Sequence, residues 1–414
     1  MTDTPRKSTR RAMIALFGIC APLSSTVVAQ DFTTQIGTPD SLSLINLVPL
    51  GGDLSFGSGA GPGLKGGFAY GLGLQSVYDS NLFLSEDDPE SEVSTALSPW
   101  LGYTTDPEGG ANVAIMVNYH PVVRTYINNP DLNSVDQSGE VSVTVKGAKT
   151  TITAYTRLSE ISGTDRLTGQ FVNGALFSSG LAASYQIAPR TSLSGSLTAA
   201  VSDYGSSSLV GASIYTLQFG GYWAATERFS YGPAVRYIYS ESDNTGSQDA
   251  WALYMQAQYK AGERVQIVGA LGLDYMKSSR DQENSTIGLT GNLSAYYAIN
   301  ELWSWRNAIQ YVTVPSPTDT NYVVNNLLIS SGLDRQLLRG TVSGGLDWNF
   351  SNYEGVGTVS TKLSDENNLS AYLSYRRKFL LDRLNFESKL RYAVNDGQVD
   401  WNQFQVFAGL DVQF

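Results

Sequence analysis

Gln403-Phe404-Gln405-Val406-Phe407-Ala408-Gly409-Leu410-Asp411-Val412-Gln413-Phe414 closes the chain and decides the reading of everything before it. Even positions carry Phe404, Val406, Ala408, Leu410, Val412 and Phe414; odd positions carry Gln403, Gln405, Phe407, Gly409, Asp411 and Gln413. A period of two with one apolar and one mostly polar face is a β-strand. A last strand with an open edge is a hazard in a water-soluble fold. In a transmembrane barrel it is the strand that pairs with the first and closes the wall. The expectation is therefore an all-β, closed, antiparallel transmembrane barrel, with Phe414 as its membrane-insertion signal.

The other end supports the same class. Arg6, Lys7, Arg10 and Arg11 precede the apolar run Ala12-Met13-Ile14-Ala15-Leu16-Phe17-Gly18-Ile19-Cys20-Ala21, and small residues follow up to Val27 and Ala29. That pattern predicts a secretory signal peptide over residues 1–29. Phe17-Gly18-Ile19 before Cys20 is not a lipobox. Cys20 is the one cysteine, so disulfides and thiolate metal sites are not expected beyond it. Residues 30–67 read as a periplasmic lead-in. Asp40 to Leu50 is apolar enough to pack, and Gly51 to Gly67 is glycine-rich. A flexible tether, a plug of the lumen and a docking peptide are all compatible with it.

Composition excludes other classes. No apolar run after residue 29 reaches the ~18 residues that a spanning helix needs. The formal charge of −11 argues against nucleic acid as a partner. Only 16% of residues are charged while 11% are aromatic, which suits a wall with lipid outside and polar groups inside.

Turn spacing gives the strand count. From residue 68 onward, tight turns are expected at 106–110, 147–149, 188–190, 225–227, 261–263, 300–301, 334–336 and 381–383. Longer connections are expected at 79–92, 127–137, 160–173, 202–210, 241–248, 277–284, 315–321, 351–366 and 395–401. Eight short turns alternating with nine longer loops define about eighteen strands over residues 68–414, with both termini at the short-turn, periplasmic end. Aromatics near strand ends (Phe229 and Tyr231, Trp303 and Trp305, Tyr237 and Tyr239, Trp348 and Phe350) predict interfacial girdles.

The same alternation assigns an interior. Arg124, Arg157, Arg236, Arg306, Arg376, Lys389 and Arg391 fall on the polar parity, together with Asp274, Asp347 and Glu387. An Arg or Lys on the lipid face at the midplane costs about 2–4 kcal/mol, so these are expected to line the pore. They could be ion pairs that fill and stiffen the lumen or a basic track for anionic solutes or acidic sugars, such as an anionic polysaccharide. Tyr155, Tyr254 and Tyr372 share that face as candidate sugar platforms.

Enzymatic chemistry finds little footing. His120 is the single histidine, beside Pro121 and without an evident serine partner, and no catalytic residue, metal site or cofactor is expected. Gly59 to Gly66 lacks the Lys-Ser/Thr ending of a phosphate loop. Asp87-Asp88-Pro89-Glu90-Ser91-Glu92 is a solvated acidic loop or a Ca²⁺ bridge to lipopolysaccharide.

Tyr70-Gly71-Leu72-Gly73-Leu74-Gln75-Ser76-Val77-Tyr78-Asp79-Ser80-Asn81-Leu82-Phe83-Leu84 resembles the opening of the β-barrel porin 2 family, most specifically in Tyr-Asp-Ser-Asn-Leu-Phe. The resemblance extends over residues 68–414. It implies an outer-membrane conduit in or beside exopolysaccharide secretion, working with periplasmic polysaccharide-export proteins. It assigns no binding residue. A general diffusion porin is the alternative, and its mark would be a long loop folded into the lumen as a constriction, a job the 30–66 segment could take over. The outer connections look short for that. A blocked structural barrel is a third reading.

Overall fold

The computed structural model describes residues 67–106, 110–164, 170–204, 211–242, 246–278, 285–315, 322–355, 364–379, 383–397 and 399–414. The expected signal peptide and most of the 30–67 segment lie outside them, as does the glycine run at 59–66. Eighteen strands follow in chain order: β1 (Phe68–Asp79), β2 (Glu92–Thr104), β3 (Val113–Tyr126), β4 (Ser134–Lys146), β5 (Thr150–Thr164), β6 (Phe171–Ala188), β7 (Thr191–Tyr204), β8 (Ala212–Ala224) and β9 (Phe229–Ser242). The second half comprises β10 (Gly246–Ala261), β11 (Val265–Ser278), β12 (Ser285–Ala298), β13 (Trp303–Pro315), β14 (Tyr322–Leu337), β15 (Gly340–Gly355), β16 (Glu366–Phe379), β17 (Leu384–Asp396) and β18 (Trp401–Gln413). A single 3₁₀ turn, Pro130–Leu132, sits between β3 and β4.

Every strand pairs antiparallel with its sequence neighbours, and β1 also pairs with β18 from Gly71↔Gln413 to Asp79↔Gln405. The sheet is thus closed, as the alternation of the last twelve residues requires. Phe414 N–H donates to the Tyr70 carbonyl at 2.9 Å and its ring stacks on Tyr70 with centroids 5.6 Å apart.

Facing follows from register. Along β18, Trp401, Gln403, Gln405 and Phe407 are buried while Asn402, Phe404, Ala408 and Leu410 are exposed. Carried strand to strand, this parity puts every polar-parity residue named above on the inner wall. The outer wall shows Leu253, Leu271 and Ile287 at 67%, 68% and 71% exposure. In water such area costs about 25 cal/mol per Å², so this surface belongs against hydrocarbon. Aromatic contacts ring both ends. Phe229 stacks on Tyr231 near the short turns, and Tyr237 packs on Trp251 towards the long loops.

Boundaries shift in places. Asp334, Arg335 and Gln336 belong to β14, and the chain turns at Leu338 and Arg339 instead. The polar triplet looked like a turn because Asp334 is an inward residue held by Arg306. The 160–173 connection shrinks to 165–170, since β5 runs to Thr164 and β6 begins at Phe171.

Candidate functional site

The lumen is the site, and most of its charges are matched. Arg157 pairs with Glu140 at 2.7 Å, Arg306 with Asp334 at 2.6 Å, and Arg376 with Glu387 at 3.1 Å. Arg236 reaches Asp274 at 3.3 Å across β10, because small Ala252 separates them in the register. Arg391 faces Tyr372 in register and feels the charges of Asp347 and Asp79. Lys389 Nζ lies 5.5 Å from the Tyr372 ring centre, and Arg124 donates to the Ser162 carbonyl at 3.5 Å. Ion pairing, one of the two readings open from sequence, therefore describes the wall better than a continuous basic track. Glu140 and Asp334 were the carboxylates that sequence reasoning passed over.

The three tyrosines are built into the wall. The Tyr155 ring covers Gly180 and Tyr372 covers Gly332 and Gly345, so a side chain at any of these glycines would collide with or crowd it. Tyr254 is 7% exposed and clusters with Ala234 and Ala252. Tyr254 is thus buried, whereas Tyr155 and Tyr372 are half-buried against these glycines. His120 stands opposite Ser138 in the register, but the Ser138 hydroxyl donates to the His120 carbonyl at 2.9 Å rather than to the imidazole. Among the described residues no group of three or more His, Cys, Asp or Glu could hold a metal ion.

Two hairpins leave the wall and fold inward, a feature that sequence did not reveal. The β12–β13 ladder stops at Gly291↔Tyr311, although β12 continues to Ser285 and β13 to Pro315. Above that point the lipid-side parity of β13 and β14 turns inward. Val323 is fully buried against Ile238, Ala250 and Met276, all inner-wall residues of β9 to β11, and Thr313 abuts Gly288 of β12. The β4–β5 ladder likewise stops at Ser138↔Ser159. Beyond it, Ser162 donates to inner-wall Asp136 at 2.5 Å, and Phe171 meets the inner-wall Tyr126 ring edge-on at 5.8 Å. An open cleft of about 400 Å³ remains between β4 and β5, bordered by Asp131, Asp136, Glu160 and Asn173.

The loop after β1 completes the narrowing. Asp79 accepts from Asn81 N–H and from the side chains of Gln403 and Gln405. Asn81 donates to the carbonyls of Ser85 and Asn402, and Leu84, at φ 52°, is buried against Ala393 and Trp401. The Leu82 carbonyl accepts from Thr164 at the β5–β6 tip at 2.6 Å. The Asp-Ser-Asn-Leu stretch thus latches the first loop over the β17–β18 inner wall and ties it to one inward hairpin.

No family model matches the chain, and no curated protein matches it. The resemblance at residues 70–84 therefore stands on its own residues. Among solved structures, the chain is similar to the apoprotein form of the FrpB iron transporter from Neisseria meningitidis, at 10% identity over 85% of this chain and 82% of that one, with a TM-score of 0.47. Pseudomonas aeruginosa OpdK crystallised with vanillate shows 12% identity over 84% and 99% of the two chains, also with a TM-score of 0.47. Acinetobacter baumannii OccAB3 shows 9% identity over 84% and 99%, with a TM-score of 0.45. Likeness this remote assigns no cargo, which must be argued from the lumen itself.

Proposed function

We propose that this barrel is an outer-membrane channel for small hydrophilic solutes. The observation that carries the reading is the pair of inward hairpins, β5–β6 and β13–β14, which narrow the long-loop end. An eighteen-stranded wall alone would enclose a wide aqueous bore. Strand ends seated on the inner wall instead leave a passage suited to small solutes rather than to a continuous polymer. The paired charges favour a polar, weakly selective lining.

The conduit for exopolysaccharide remains the second reading, favoured only by the Tyr-Asp-Ser-Asn-Leu-Phe stretch at residues 78–83. It would require periplasmic export proteins and an anionic polymer as partners. Under either reading the barrel contacts outer-membrane lipid and lipopolysaccharide, and the barrel assembly machinery reads the strand that ends in Phe414. The deciding experiment deletes the gene and follows small-solute uptake and surface polysaccharide in the same cells. Slowed uptake with unchanged polymer is expected. Lost polymer with unchanged uptake would overturn the diffusion reading.

A further inference from the structure

We propose that the seam between β2 and β3 is a lateral portal through which the hydrocarbon chain of an amphiphile passes between lumen and bilayer. The ladder there runs to Leu97↔Val123 and resumes at Leu101↔Tyr119, leaving three positions unpaired. At the centre of the gap Pro99 stands opposite Pro121. Neither has a backbone N–H, so both ladder donors are missing and each proline carbonyl faces a strand that offers it nothing. Among the described strand pairs, β6–β7 shifts register between Gln186 and Ala188 beside a short turn, and β8–β9 is interrupted beside Pro233. The β8–β9 gap involves a single proline, and both irregularities lie close to the short turns. The β2–β3 gap lies near the middle of both strands, at the depth of the hydrocarbon core on its outer face.

On the lumen face the side chains of β2 at this seam are directed over β1. Ser98 and Trp100 lean away from β3: a Cβ on Gly73 would strike Ser98 Oγ, and one on Gly71 would strike Trp100 Nε1. Trp100 Nε1 donates to Asp411 Oδ2 at 3.0 Å, two strands away on β18, which holds the indole in that direction. His120 and Val122 border the gap from β3. On the lipid side its neighbours Leu97, Leu101, Tyr119 and Val123 are all exposed. A seam with apolar neighbours on its outer side, three ladder positions without pairing, and a polar imidazole at its inner edge suits an acyl chain whose head group stays in the lumen. The inference stands on wall geometry and does not depend on which solutes cross the bore.

The test places a bimane fluorophore on Val122→Cys in the full-length Cys20→Ser chain, reconstituted in phosphatidylcholine vesicles containing phosphatidylcholine with a doxyl quencher on its acyl chain. Ala200→Cys, on the inner wall at a similar distance from its strand end and flanked by continuous ladders, is the control. Quenching at position 122 is expected to exceed that at position 200 several-fold, and to fall to the control level when Pro99→Val and Pro121→Val restore the ladder donors. Should the double repair fold poorly, each single repair is read instead and lowers the quenching by itself. Equal quenching at the two positions, or quenching at 122 that the repairs leave unchanged, overturns the portal.

Discussion

Arg236 and Asp274 show how single side chains are held in the lumen. Their side chains are 12% and 4% exposed, so each depends on the other to offset its loss of water. Removing one partner from such a pair strands a charge at a cost of about 3–5 kcal/mol, whereas removing both leaves none. Arg236→Ala or Asp274→Ala is therefore expected to lower the urea midpoint of the folded barrel in detergent, and the double substitution to recover most of the loss. Strictly additive effects would show that the two charges are hydrated separately. Phe414 is proposed to act at the other extreme, on assembly. It stacks on Tyr70 and pairs its backbone with β1 at the closing seam. Phe414→Asp should sharply reduce the heat-modifiable, folded band in outer-membrane fractions, and normal yield of that variant would refute the role.

The hairpins mark where sequence and structure part company. Strand number, closure and facing were legible because a two-residue period has to be kept over every membrane-spanning segment, as β18 and β10 illustrate. Val323 and Phe171 keep that same alternation and so read as lipid-facing, yet they are seated inside the barrel. Parity records which face a residue occupies, not whether its strand has left the wall. The Asn81 latch was equally hidden, since its partner Asn402 lies 321 positions away. Whether the β13–β14 tip controls the bore can be measured. Burying a Val stabilises by about 1.5–3 kcal/mol, while an unpaired buried carboxylate costs several kcal/mol. Val323→Asp should consequently eject the hairpin and raise single-channel conductance in planar bilayers. Conductance equal to that of the parent protein would place the hairpin off the permeation path.

At the scale of the whole barrel, charge is sorted along the axis. Lys146, Lys149, Arg190, Arg228, Lys260, Arg264, Arg339, Arg376, Lys378 and Arg383 gather at the short-turn end, where they outnumber Asp106, Glu227, Glu263, Glu301, Asp334, Glu387 and Asp411. Asp79, Glu86, Asp87, Asp88, Glu90, Glu92, Asp131, Asp136, Glu160, Glu366, Asp396 and Asp400 gather at the long-loop end. The paired middle separates a basic mouth that enriches anions from an acidic mouth that enriches cations. When the long-loop compartment is positive, each mouth feeds its enriched ion into the bore and carriers accumulate. Under the opposite bias both ions are drawn out and the bore is depleted. Oriented channels are thus expected to conduct better with the long-loop side positive at about 0.1 M salt, where the screening length is about 10 Å. In 1 M salt that length falls to about 3 Å, and the asymmetry should vanish. Substituting Gln for Lys146, Lys260, Arg376 and Lys378, which face inward at the basic mouth, should reduce the rectification without closing the channel. A current–voltage curve that is symmetric at low salt would mean that the ends of the barrel do not govern which ions enter.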